Sequence, residues 1–172
     1  MDLLLWRHAE AVDGSPDHTR ELTPRGLKQA RRMARWLEDN RPKNLKVLVS
    51  PTLRTRQTAT AFTDEFEIVS NLGPDGNVAD ILAATGWPEG NGAALVLGHQ
   101  PALGRLCALL LSGSEADWTI KKGALWWFTN RVRECDCGCE GEGAERSADE
   151  QAVSGRHTSR SAVGHALSLI HI

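Results

Sequence analysis

The sequence predicts an α/β domain built as a three-layer sandwich around a mostly parallel sheet. Three observations predict it. Short apolar runs at residues 3–6, 45–49 and 93–97 read as buried strands. Helical patterns alternate with them, which argues for parallel strands covered on both faces. A length of 172 residues leaves room for one such domain and little else.

The elements follow in order. Residues 3–6 form the first strand, and the polar stretch 9–21, with Gly14, Ser15 and Pro16, is a loop. Thr23 is an N-cap by type and Pro24 suits the first helical position. Leu27, Ala30, Ala34 and Leu37 then recur at helical spacing, with Lys28, Arg31, Arg32 and Arg35 mostly on the other face. Residues 45–49 are the second strand. Ser50-Pro51 repeats the cap-and-proline signal, and the helix it opens is expected to turn Leu53, Ala61, Phe62 and Phe66 inward. A short third strand is placed at 67–70, a turn at 74–77, and a helix from Val78 to its stop at Gly86. Residues 93–97 are the fourth strand. The helix opened by Pro101 aligns Leu103, Leu106, Cys107 and Leu110, so Cys107 reads as a core thiol. A fifth strand spans 124–129, with Trp126 and Trp127 on opposite faces.

From residue 134 the composition changes. Residues 134–166 hold almost no large apolar side chain and show no helical or strand period. The final Leu-Ser-Leu-Ile-His-Ile resembles one reading frame of a transposon end used to prepare sequencing libraries. The domain is therefore expected to span residues 1–133, with its final hairpin incomplete. Residues 134–172 are expected to be a disordered or foreign tail, the product of a frameshift or sequencing artefact. His157, His165 and His171 are set aside with it. Cys135, Cys137 and Cys139 are too crowded for a disulfide framework and lack the ligand spacing of a structural zinc site.

Twenty basic and 22 acidic residues give a formal net charge of −2, and their interspersion gives no electrostatic case for nucleic acid. No stretch approaches a membrane span. The first apolar run is too short for a signal peptide and lacks a basic flank. The cytoplasm is the expected location.

The chemistry sits where strands end. Arg7-His8 follows the first strand, Ser50-Pro51-Thr52-Leu53-Arg54 the second, and Gly98-His99-Gln100-Pro101 the fourth. Each alone is explained by a strand reaching the surface. In a parallel sheet, however, ligands bind beyond the carboxyl ends of the strands, where these residues would meet. Arg7, Arg54, His8 and His99 together complement a tetrahedral dianion, since arginine stays charged and offers a fork to paired oxygens. Helix starts near Pro51 and Pro101 favour the same anion. There is no glycine-rich phosphate loop and no carboxylate-rich magnesium site, so neither metal nor cofactor is expected. In such a pocket a neutral histidine nitrogen can attack phosphorus, dividing one displacement into two. The arginines would neutralise the equatorial oxygens, and water would then attack the phosphohistidine.

These residues carry a family resemblance. Leu5-Trp6-Arg7-His8-Ala9-Glu10, Ser50-Pro51-Thr52-Leu53-Arg54-Thr55-Arg56-Gln57-Thr58-Ala59 and Leu97-Gly98-His99-Gln100-Pro101 resemble the histidine phosphatase superfamily, above all its small SixA-like phosphohistidine phosphatases. The match runs through residues 1 to about 130, with motifs in order. The Arg-His-Gly signature has Ala9 in place of glycine. The resemblance implies a phosphoglycerate-mutase-like fold, His8 as nucleophile, and Arg7, Arg54 and His99 holding the phosphoryl group. Asp17-x-x-Arg20-x-Leu22-Thr23 resembles the family's loop before the first helix, which adds Arg20 as a possible phosphate ligand. His18 and Arg56 read as solvated residues. Larger members place an acid after the third strand; here no carboxylate matches that position, and Asp75 and Glu10 are the candidates for the role.

The function expected is phosphohistidine hydrolysis on a protein, such as a phosphotransfer domain. A small-molecule phosphomonoesterase using the same site is the first alternative, and a non-catalytic phosphate-binding module the second. An intact His8 argues against the module, because binding alone requires no nucleophile.

Overall fold

The computed structural model describes residues 1–133 and 164–171, the backbone alone for 131–133 and 164–171. Six strands form one sheet in the order β3-β2-β4-β1-β5-β6. They are β1 (Asp2–Arg7), β2 (Leu45–Val49), β3 (Glu67–Ile68), β4 (Ala93–Gly98), β5 (Leu125–Arg133) and β6 (Gly164–His171). β1 to β4 are mutually parallel, and β5 and β6 run antiparallel at one side. Four helices cover the faces: α1 (Pro24–Asp39), α2 (Leu53–Thr60), α3 (Val78–Thr85) and α4 (Ala102–Ser112).

The continuous apolar run of β1 follows from this layering. Leu3 and Leu5 face the core shared with α3 and α4, and Leu4 and Trp6 face the core shared with α1 and α2. All four are fully buried, and each contributes about 1.5–3 kcal/mol of hydrophobic stabilisation. Trp126 and Trp127 divide between the same two cores.

α1 starts as its sequence predicts. The Thr23 hydroxyl accepts from the Gly26 amide at 2.9 Å, and Pro24 occupies the first turn. Gly26 is required here because a Cβ would sit 1.9 Å from the Glu10 carbonyl oxygen. The helix therefore lies directly on the chain leaving β1. α3 has its Asn77–Asp80 capping box and ends at Gly86 with φ of 69°.

Several expectations are corrected. α2 begins at Leu53 rather than Pro51; the Ser50 hydroxyl is held by His99 at 2.7 Å and meets the Thr52 amide only at 3.5 Å. Its buried face is mostly polar: Arg54, Thr55 and Thr58 turn to the site, and Ala59 joins the core beneath α1. Ala61, Phe62 and Phe66 lie beyond its last turn. Leu27 is 38% exposed instead of joining the α1 core stripe. β3 is only two residues long. The fifth strand runs on to Arg133 and pairs antiparallel with Gly164–His171. Residues 134–163, with Cys135, Cys137, Cys139 and His157, lie outside the described residues.

Candidate active site

The carboxyl ends of β1, β4 and β2 converge because the three strands are neighbours in register. Arg7 pairs with Gly98 and Val49 with Leu97. The chain then exits each strand into His8, His99 and Ser50. The His8 amide donates to the Gly98 carbonyl at 3.3 Å and the Ser50 amide to Leu97 at 3.1 Å. An open pocket of about 600 Å³ lies over these ends, lined among others by Arg7, His8, Asp17, Arg54, Asp75 and His99.

His8 is 6% exposed and its tautomer is fixed by one bond. Its Nδ1 lies 2.7 Å from the Ala9 carbonyl oxygen, which can only accept, so Nδ1 carries the proton. The lone pair of the neutral ring is therefore on Nε2, which has no hydrogen-bond partner among the described residues. Burial, reinforced by the charges of Arg54 and Arg7 and opposed by the Ala9 bond, pushes the imidazole down to about 4. His8 is thus neutral at pH 7.

His99 is oriented by the opposite pattern. Arg54 Nη2 donates to its Nδ1 at 3.3 Å, because a guanidinium cannot accept. Nε2 then carries the proton and donates to Ser50 Oγ at 2.7 Å, with Thr52 Oγ1 at 3.3 Å. Burial, with His8 and Arg54 nearby, holds this ring at about 3. The two imidazole centroids are 5.2 Å apart.

Arg54 is 3% exposed. Nη1 donates to the Asp17 carbonyl oxygen at 2.7 Å and Nη2 to Asp17 Oδ2 at 2.8 Å. Arg7 Nη1 donates to the Ile120 carbonyl oxygen at 2.5 Å, and burial lowers its pKa from the ordinary value. The Nε atoms of both arginines are buried and unpaired among the described residues. Two arginines, Arg54 buried and Arg7 half-buried, complement an anion beside the two neutral rings.

The rest of the arginine motif is scaffold. Thr58 Oγ1 accepts from the Ala9 amide at 3.1 Å and donates to the Arg54 carbonyl at 2.7 Å, tying the turn after His8 to α2. Gln57 Oε1 accepts from the Leu22 amide at 2.7 Å and anchors the loop before α1. Thr55 Oγ1 donates to the Ser50 carbonyl at 2.8 Å. Ala9, where the family signature has glycine, is fully buried with Ala11, Leu22 and Ala30.

The structure brings Arg7, His8, Arg54, His99 and Asp75 to one pocket and leaves two expected residues outside its lining. Arg20 spends its guanidinium on the loop: Nε on the Val12 carbonyl at 2.6 Å, Nη1 on Asp17 at 2.9 Å and Nη2 on Asp13 at 3.1 Å. It holds Asp17 in place of reaching the pocket. Glu10 turns to α1, accepting from the Thr23 hydroxyl at 2.9 Å and pairing with Arg25 at 3.6 Å. Sequence reasoning missed Asp17 as a site residue; His18, expected as a solvated loop residue, is exposed and lies at the same pocket. The available signal for Asp17 was the Asp17-x-x-Arg20 spacing on one short turn.

A parallel α/β sheet that ends in two neutral histidines and two arginines defines a phosphoryl-handling enzyme. The sequence profile of the histidine phosphatase superfamily (branch 1) matches residues 3–75. The chain is 36% identical over 124 residues to phosphohistidine phosphatase SixA of Escherichia coli K12, covering 66% of this chain and 76% of that one. The solved structure of the protein histidine phosphatase SixA complexed with tungstate is 33% identical and superposes with a TM-score of 0.64 over 75% of this chain and 88% of its own. The SixA structure from Nakamurella is 27% identical, with a TM-score of 0.61 over 74% of this chain and 83% of its own. The chain belongs to the histidine phosphatase superfamily. It is a hydrolase of the phosphatase class. Among the described residues, no helix is long and apolar enough to cross a membrane.

Proposed function

We propose that the protein removes phosphate from phosphohistidine on a cytoplasmic protein, such as a phosphotransfer domain, through a covalent phospho-His8 intermediate. The observation that carries this reading is the His8 tautomer: Nδ1–H is held by the Ala9 carbonyl, which leaves the Nε2 lone pair free at neutral pH. A relative was solved with tungstate, a tetrahedral oxyanion, in complex; the pocket here is lined by the guanidinium-bearing Arg7 and Arg54, the residues suited to such an anion. In this role arginines, with no metal, neutralise the phosphoryl oxygens.

In the first step the Nε2 lone pair forms a P–N bond while the bond from phosphorus to the substrate imidazole breaks. The leaving imidazole takes up a proton from solvent. Arg7 and Arg54 stabilise the charge on the equatorial oxygens, and His99, held by Ser50 and Arg54, completes the cradle. In the second step water attacks phosphorus, the bond to Nε2 breaks, and inorganic phosphate leaves. The electron pair of the broken P–N bond returns to Nε2, so His8 is neutral again with its Nδ1–H on Ala9, and the proton of the attacking water goes to the departing phosphate or to solvent.

Substrate class follows from the leaving group. An alkoxide leaves poorly without a proton donor, whereas imidazole has an ordinary pKa of about 6.5 and leaves readily once protonated. One observation favours the alternative, a small-molecule phosphomonoesterase: the Asp75 carboxylate lines the pocket. The two readings separate when kcat/KM is measured for a phosphohistidine peptide, an aryl phosphate and an alkyl phosphate. The phosphohistidine reading expects the peptide to exceed the alkyl ester by about 10²–10⁴-fold, the usual worth of an acid catalyst. Equal rates transfer the assignment to the phosphomonoesterase, with Asp75 as its acid.

A further inference from the structure

α1 carries five cations, Arg25, Lys28, Arg31, Arg32 and Arg35, before its first anion, Glu38. All five are exposed. At about 100° per residue they fall within an arc of about 120°, opposite the buried Ala30, Met33, Ala34 and Leu37. Only Arg25 has an ion-pair partner among the described residues. The chain as a whole has a slight acidic excess, so composition does not account for a face of one sign.

Nor does helix stability account for it. The first turn holds no acid and the last turn holds no base; Glu38 and Asp39 stand at the end instead. That is the reverse of what the helix dipole favours. Lys28 also faces Arg31 and Arg32, and Arg31 faces Arg35, at spacings where like charges repel. A helix optimised for its own folding would carry the opposite pattern.

The face adjoins the catalytic pocket on one flank. A groove of about 440 Å³ beside α1 is lined by Arg32, Trp36, Lys121 and Lys122, all in addition to Gly123. The Gly123 amide donates to the carbonyl oxygens of Arg7 and His8, at 3.2 and 3.1 Å. On the other flank, a groove of about 410 Å³ over Leu27, Leu53 and Phe66 is rimmed by Arg31 and Arg56. Leu53 precedes Arg54 in the chain.

We infer that this basic face, α1 with Lys121 and Lys122, docks an acidic surface of the protein that presents the phosphohistidine. The inference rests on the proposed function. Its occupant is an acidic protein segment because the adjoining pocket must receive a phosphoryl group carried by that same partner. The contact is electrostatic and sets encounter and KM more than turnover.

The test uses two synthetic peptides of about 20 residues, each with one central phosphohistidine. One is flanked by glutamates and the other by serines. Such a chain spans up to about 70 Å extended, against about 24 Å for α1. The wild type is expected to show a KM about tenfold lower for the glutamate peptide at low salt. The advantage should vanish as salt rises to about 0.5 M, where the Debye length is a few Å. In the variant Lys28→Glu/Arg31→Glu/Arg32→Glu the preference should disappear while p-nitrophenyl phosphate is turned over as in the wild type, which reports an intact fold and site. Equal KM values for the two peptides in the wild type, or a variant that keeps the preference, would overturn the docking face alone. Failure to dephosphorylate either peptide sinks the phosphohistidine reading and the docking face with it. A DNA duplex held more tightly than the glutamate peptide assigns the face to nucleic acid and also overturns the inference.

Discussion

Asp17 Oδ2 accepts a 2.8 Å hydrogen bond from Arg54 Nη2, and the main-chain carbonyl of the same residue accepts Nη1 at 2.7 Å. Asp17 is itself gripped by Arg20, and these bonds, with Arg20 first and Arg54 second, hold its carboxyl below the usual carboxylate range. The side chain is 52% exposed while Arg54 is buried. A half-solvated carboxylate therefore aims a buried guanidinium at the pocket.

Asp17→Ala removes that aim and leaves Arg54 in place. Turnover should fall by roughly 10–10²-fold, the scale of a misplaced catalytic group. Arg20→Ala should give a smaller loss of the same kind, because it acts through Asp17. Steady-state kinetics on an aryl phosphate checks both, and an unchanged kcat in Asp17→Ala would show that Arg54 needs no such guide.

Arg54→Lys should be nearly as damaging as Arg54→Ala, each costing on the order of 10²–10³-fold in rate. An ammonium keeps the charge but cannot satisfy Asp17 and His99 from one planar fork while leaving a further N–H for the phosphoryl oxygens. Recovery of most activity in the lysine variant would mean that charge alone is what the site uses.

Protonation has a defined sign. His8 and His99 titrate at about 4 and about 3 in the folded chain, against 6.5 when unperturbed. Between those values the unfolded chain binds protons that the folded chain does not, so stability rises with pH there. The contribution is fully present above about 6.5 and is lost as pH falls through 6.5 toward 4 and 3. The melting temperature should drop over that window, by a few degrees per kcal/mol lost. Imidazole resonances of both residues, followed by NMR, should show no titration near 6.5; a midpoint there would contradict the burial argument.

What the sequence revealed and what it hid divide along physical lines. Buried strand runs and their charged ends are local, so Arg7, His8, Arg54 and His99 were legible from one-dimensional pattern. The Thr23 cap was legible because Ser/Thr-Pro is a short-range signal, yet the same signal at Ser50-Pro51 misled. There a tertiary partner, His99, takes the hydroxyl. Asp17 and Arg20 were misassigned for a similar reason. Which of two oppositely charged residues on one turn faces the pocket depends on where Arg54 arrives from 37 residues away. The polar buried face of α2 has no apolar period to reveal it. β6 pairs with β5 although the preceding stretch has the composition of unstructured chain.

The central claim is that His8 Nε2 becomes covalently phosphorylated, and rapid quenching with a ³²P-labelled substrate tests it most directly. The account predicts a phosphoenzyme that is labile in acid and stable in alkali, maps to the peptide containing His8, and is absent from a folded His8→Ala variant that has lost turnover. Undiminished turnover in that variant, or label found on another residue, would contradict it.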